Sequence, residues 1–183
     1  MRYTQNGRAC TFPEIGGETL EARVRRLENI RLIEECMFHY AKSADEGDPE
    51  GMASCFTKDA VLRWGPESQP VTGGRDALYR HFRSIMGKAR AQEHYCTNFQ
   101  ILMQADDRAL GVCNMHSWQI WKNPSRPETF CYGRYEFEAV TEDGEWRFRS
   151  FLLTLNGKTT GSGTTAGREA EQNDRPWPPA PIK

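Results

Sequence analysis

No stretch of this 183-residue chain is apolar for long enough to cross a bilayer; runs such as Phe151-Leu152-Leu153 are far too short. Charge of either sign is not in excess. Lys and Arg total 24 and Asp and Glu total 25, for a net charge of -1, so there is no electrostatic footprint for nucleic acid or an anionic membrane. The opening Met1-Arg2-Tyr3-Thr4-Gln5-Asn6 has no apolar h-region, so no secretory signal is expected. The 6 cysteines, at positions 10, 36, 55, 96, 113 and 131, form no Cys-x-x-Cys pair and no regular spacing. They read as reduced, structural thiols of a cytoplasmic protein. No His-x-x-x-His and no carboxylate cluster offers a metal site. Gly161-Ser162-Gly163 precedes no helix and makes no phosphate loop. Neither a metal nor a cofactor is expected, and no internal repeat is visible.

The length suits one domain with tails, burying roughly 70% of its unfolded surface. Residues 1–18, rich in Gly and polar residues, read as a flexible arm. From there Val24, Leu27, Ile30, Ile33, Met37, Tyr40, Ala41 and Ala44 recur at helical steps until Gly47 and Asp48-Pro49 stop the pattern. Pro49 to Phe56 predicts a short second helix, Ala60 to Trp64 a strand, and Arg75 to Ala89 a third helix. Four strands then follow, His94 to Gln104, Ala109 to Trp121, Phe130 to Val140 and Trp146 to Leu155, parted by turn residues such as Glu142-Asp143-Gly144. Helices first and an antiparallel meander afterwards argue for an α+β fold with helices on one face of a curved sheet. The domain is placed at 19–155. The segment 156–183, Gly/Thr-rich and then Pro-rich, reads as a tail in which Trp177 could strap a neighbouring subunit or the pocket mouth.

Polar residues inside these patterns are the candidates for chemistry. Asp45 follows Phe38 by seven residues, within about 20° on an ideal helix, so it adjoins the apolar stripe. A carboxylate there is costly unless paired, although a solvated helix-end aspartate fits the spacing equally. Counting by twos from His94 puts Cys96 and Asn98 on its face, with Tyr95, Thr97, Phe99, Ile101 and Met103 on the other. On the next strand Asn114, His116 and Trp118 continue the row of Leu110 and Val112. Such polar groups either line a cavity or make satisfied hydrogen bonds in a core.

Taken with Tyr40-Ala41-Lys42-Ser43-Ala44-Asp45, Phe56-Thr57-Lys58-Asp59-Ala60, the Gly74 loop and Glu93-His94-Tyr95-Cys96-Thr97-Asn98, the chain resembles the SnoaL-like branch of the nuclear-transport-factor-2-like superfamily. The resemblance spans about Glu28 to Leu155. It implies a cone of three N-terminal helices on a strongly curved mixed or antiparallel sheet. In its site spacing the chain is similar to scytalone dehydratase, bile acid 7α-dehydratase and hexachlorocyclohexane dehydrochlorinase. The resemblance puts their helix-end aspartate on Asp45 and their strand histidine on His94. A second histidine falls on His116, a tyrosine on Tyr40, and a last-strand arginine on Arg149 or Arg147. Trp64 replaces a first-strand tyrosine, and Gly133 and Tyr135 stand near a serine and an asparagine, so the substrate need not be shared. The implied function is a cofactor-free lyase of the dehydratase type acting on a hydrophobic, ring-containing molecule. Asp45, His94, His116 and Tyr40 would do the chemistry. Phe38, Trp64, Asn98, Asn114, Trp118, Tyr135, Phe137 and Arg149 would line the pocket. Isomerisation or cyclisation on the same pocket, or a non-catalytic binding or partner subunit, are the alternatives. A homo-oligomer, dimer or trimer, is expected to cover the bare sheet face through outward aromatics such as Tyr95, Phe99, Trp121 and Tyr132.

Overall fold

Thr19 starts the first helix: its Oγ1 accepts a hydrogen bond from the Ala22 N–H at 3.2 Å, satisfying an otherwise unpaired donor of the first turn. The computed structural model describes residues 18–65 and 67–161, which leaves Cys10, the N-terminal arm before Glu18 and Trp177 outside the described residues. Helix α1 runs Leu20–Glu46 and ends at Gly47, whose φ of 71° is the left-handed cap that glycine takes without strain. Only its second half packs. Ile33, Met37, Tyr40, Ala41 and Ala44 are buried, whereas Leu27, expected in the same stripe, is 64% exposed. Asp48 caps α2 (Pro49–Ser54) by accepting from the N–H groups of Glu50 and Gly51, both at 3.0 Å.

Strand β1 (Phe56–Trp64) begins earlier than the expected Ala60. Helix α3 (Gly74–Ile85) is entered through Gly74, at a φ of +67°, where an added Cβ would lie 1.7 Å from the Lys58 carbonyl oxygen. The backbones cross too closely there for any side chain. The remaining strands are β2 (Ala89–Ala105), β3 (Arg108–Trp121), β4 (Glu128–Glu142) and β5 (Glu145–Gly161). They form one five-stranded sheet in the order β1-β5-β4-β3-β2, with β1 parallel to β5 and the other pairs antiparallel. The fold is the nuclear-transport-factor-2-like cone, helices followed by a mixed curved sheet. Pairing of Glu128 with Gly161 and Thr129 with Thr160 carries β5 six residues beyond the expected end at 155. Composition hid this because Gly and Thr pair through their backbones.

The core fills the space between the helices and the inner sheet face. Phe56 is its centre, with rings of Tyr40, Phe82, Phe148 and Phe151 all 5.5 to 5.8 Å from its own. Trp146 Nε1 donates to Asn29 Oδ1 at 3.3 Å, and Asn29 in turn donates to the Asp106 carbonyl at 3.2 Å, fixing α1 across two sheet turns. Among the described residues no helix is long and apolar enough to cross a membrane.

Two face assignments differ from expectation. In β2 the register shifts between Thr97 and Gln100, and Asn98 has a φ of 54°. This bulge reverses the alternation, so His94 and Cys96 share the inner face with Phe99, Ile101 and Met103 instead of with Asn98. In β3 the inner row is Ala109, Gly111, Cys113, Met115 and Ser117; Asn114, His116 and Trp118 face out. The small inner residues make room for a large partner, since a Cβ on Gly111 would strike the Phe137 ring at 2.3 Å. Phe99 and Trp121, expected outside, are therefore inside, while Tyr95 and Tyr132 stay outside.

Candidate active site

The last turn of α1 docks on β2 through two side chains of alternate strand residues. Gln92 Nε2 donates to the Ala44 carbonyl. Two residues on, Asp45 grips His94 twice: Oδ2 accepts from the His94 backbone N–H at 3.0 Å, and Oδ1 lies 2.6 Å from Nδ1. The partners are 49 positions apart in sequence, and both are largely buried, with side chains 20% and 15% exposed. A carboxylate can only accept, so the proton of the neutral ring sits on Nδ1 and the Nε2 lone pair is left unused. Burial raises the pKa of Asp45 above the ordinary aspartate value, and the hydrogen bonds and charge of His94 only partly oppose that rise.

His94 lines a cavity of about 360 Å³, within the range of small-molecule sites. Tyr40, from α1, and Tyr135, from β4, also line it, with ring centroids 6.0 Å apart and 3% exposure each. Burial pushes both phenols well above their ordinary pKa, so both stay protonated and can donate a hydrogen bond. Trp64 closes one side. The rest of the wall is mostly apolar, with Met52, Met115, Ile85, Leu153 and Leu155.

Of the twelve residues expected here, Tyr40, Trp64, His94 and Tyr135 line the cavity and Asp45 stands behind His94. The other seven do not line it. His116 packs its ring edge-on against Tyr132 at 5.4 Å on the outer face. Asn114 is exposed there, and Trp118 donates to Glu128. Asn98 is exposed at the bulge. Phe38 leaves the cavity to pack on Phe99, at 5.5 Å, under the Arg31 guanidinium. Phe137 is core, 5.0 Å from Phe148, and Arg149 pairs with Glu138 at 2.6 Å. Arg147, the other arginine considered, is tied to the Ser54 carbonyl and to Glu145.

Sequence reasoning missed Ser117, Gln92, Gln119 and Trp121, which line the cavity. Directly paired residues share a face. Because His94 pairs with Ser117 and Gln92 with Gln119, placing His94 inward puts Ser117 inward and His116 outward. The signal was strand pairing, which apolar periodicity does not carry. Among the described residues no three His, Cys, Asp or Glu side chains come together as a metal site.

Residues 25–151 match the family described as the SnoaL-like domain. No curated protein matches the sequence. Among solved structures, the fold is similar to a protein of Novosphingobium aromaticivorans described as a scytalone dehydratase. The two are 26% identical, with a TM-score of 0.70 over 78% of this chain and 93% of that one. It is also similar to a hexachlorocyclohexane dehydrochlorinase of the LinA-type3 form from Novosphingobium barchaimii, at 17% identity and a TM-score of 0.68 over 78% and 96%. A third, an NTF2-like protein with a cystatin-like fold from N. aromaticivorans, is 19% identical, with a TM-score of 0.61 over 85% and 98%. With the family matched over most of its length and the same cone in its structural neighbours, the chain belongs to the SnoaL-like family.

Proposed function

We infer that the protein is a cofactor-independent lyase that eliminates water from a hydrophobic, ring-containing small molecule. The observation that carries this reading is the Asp45–His94 hydrogen bond at the wall of a mostly apolar cavity. His94 Nε2 takes the proton from a carbon next to an activating group. The C–H pair becomes the new C=C bond as the neighbouring C–O bond breaks. The imidazolium, stabilised by Asp45, then gives its proton to the departing hydroxide, and water leaves. Tyr40 and Tyr135, held protonated by burial, donate to an enolate oxygen or to the leaving group. His116, on the outer face, takes no part. The dehydratase and dehydrochlorinase among the structural neighbours support an elimination.

The same two phenols suit an isomerase, in which the enolate is reprotonated at another carbon. Mass spectrometry of the product separates the two, since elimination lowers the substrate mass by one water and isomerisation leaves it unchanged. For either reaction, His94→Ala is expected to lower kcat by about 10² to 10⁴ in an assay over hydroxylated cyclic ketones. A folded His94→Ala variant with unchanged turnover would remove the base, and the reading with it.

A further inference from the structure

The cavity has an electrostatic direction. Among the described residues that line it, only Lys88 and Arg126 carry a full charge; both are cationic, and none is a carboxylate. They arrive from different segments but are built into one rim. Lys88 directly precedes β2, and its carbonyl accepts from the Lys122 N–H at 3.0 Å, closing the end of the β2–β3 pair. Arg126 sits in the β3–β4 turn, which is shaped by the Asn123 side chain accepting from the Ser125 N–H at 3.0 Å and by the Arg126 N–H donating to the Asn123 carbonyl at 3.0 Å. Its guanidinium lies 3.3 Å from the centre of the Trp121 ring, and Trp121 is itself fixed by donating to Thr129 Oγ1 at 3.0 Å. Stacking uses the flat face of the guanidinium and leaves its in-plane N–H donors for another partner. Among the described residues no carboxylate pairs with Lys88 or Arg126. Glu128, two residues beyond Arg126, accepts from Trp118 on the outer face.

We propose that the substrate of this cavity carries an oxyanion at the end remote from the reacting carbon, held between Lys88 and the in-plane donors of Arg126. The inference rests on the reading of the cavity as the substrate site. Position adds a length preference. Lys88 precedes His94 by six residues, at most roughly 20 Å of strand, and Arg126 stacks on Trp121, the partner of Ala89, so the cations stand towards the start of β2 and the base further along it. That separation favours a body longer than a single small ring. An extended or fused-ring body ending in a carboxylate or phosphate fits it, with its apolar middle against Met52, Met115, Leu153 and Trp64. Guanidinium and ammonium bind either oxyanion, with Arg126 supplying paired planar donors and Lys88 a point charge.

The test is binding, independent of turnover. Fluorescence titration compares 1-pyrenebutyrate, 1-pyrenebutyl phosphate and the neutral 1-pyrenebutanol on the full chain at low and high salt. The acids are expected to bind about tenfold or more tighter than the alcohol, with the advantage shrinking as salt rises. Whichever acid is favoured identifies the head group. Lys88→Gln and Arg126→Gln are each expected to lose about three- to tenfold on the acids and nothing on the alcohol, while Arg126→Lys recovers part of the loss. His94→Ala, which removes part of the wall but neither cation, should leave the ratio of acid to alcohol affinity unchanged. Equal binding of acid and alcohol, no binding of any probe, or indifference of the acids to both Gln variants would overturn the proposal. A preserved acid preference beside an unimpaired His94→Ala turnover would instead overturn the lyase reading and leave this one standing.

Discussion

The substitution Asp45→Asn keeps the shape of the carboxylate but leaves only one acceptor oxygen, while the present pair uses two, one for the His94 backbone N–H and one for the ring. The substituted amide can satisfy both contacts only if its NH₂ donates to Nδ1, which moves the ring proton to Nε2 and removes the lone pair facing the cavity. Asp45→Asn is therefore expected to fold normally and to lose about 10² to 10⁴ in kcat/KM, like other orienting aspartates. Its stability should move the other way. Asp45 has a folded pKa raised by burial, so the folded state binds that proton more tightly than the unfolded chain, and the resulting stability disappears as pH rises through the raised value. At neutral pH the wild type therefore carries the cost of a buried charge that the amide avoids. Thermal melts should show a Tm for Asp45→Asn at or above wild type near neutrality, with the difference shrinking as the pH falls towards the ordinary aspartate value. A Tm well below wild type at neutral pH would mean that the ionised carboxylate holds the fold together in addition to tuning the histidine.

The reversal of β2 at Asn98 decides which side chains reach the cavity, and it is the element least readable from the residues. Strict alternation from His94 puts Phe99, Ile101 and Met103 on the opposite face, yet all three pack on the core. A left-handed residue in the strand costs an L-amino acid about 1–2 kcal/mol, and Asn tolerates it better than most because its short polar side chain can bond locally. At Asn98 the φ of 54° is also one glycine takes freely. Asn98→Gly should hold or slightly raise the denaturation midpoint with activity intact, whereas Asn98→Val should lower stability by about 1–2 kcal/mol. Equal midpoints for the two would mean that the bulge imposes no backbone strain. The same limit explains the β3 misreading. Leu110 and Val112 look like the buried row, but the buried row is the small one beneath Phe137. Helix ends were legible because caps are local chemistry, as at Thr19, Gly47 and Asp48. The Asp45–His94 pair was legible only through the family resemblance, since spacing alone left Asp45 equally at home in water.

At the scale of the molecule, the helices enclose the core on one side of the sheet, and among the described residues no element packs over the other side. Pairing across three strands aligns Tyr95, His116 and Tyr132 in one outer row, with Trp118 and Phe130 in the next. Tyr95 is 55% exposed and Tyr132 42%. An aromatic strip of this kind, rimmed by polar residues such as Glu93 and Arg134, has the composition of an interface, with aromatics at the centre and charges at the edge. It also gives His116 a use away from the cavity, set edge-on against Tyr132 within the strip. A dimer or trimer built on this face is expected in solution, read as a mass two or three times that of the chain by light scattering coupled to size exclusion. Tyr132→Glu should shift the distribution towards monomer, because it adds a charge that would be desolvated at the centre of the contact. Leu27→Glu, on the exposed half of α1, should leave the mass unchanged and so separates this face from the other exposed apolar surface. A monomeric wild type would overturn the assembly, and a shift in Leu27→Glu alone would move the contact from the sheet to the helix. Because the cavity lies on the opposite side of the sheet, a monomeric Tyr132→Glu protein should keep the pyrene-acid affinity of wild type.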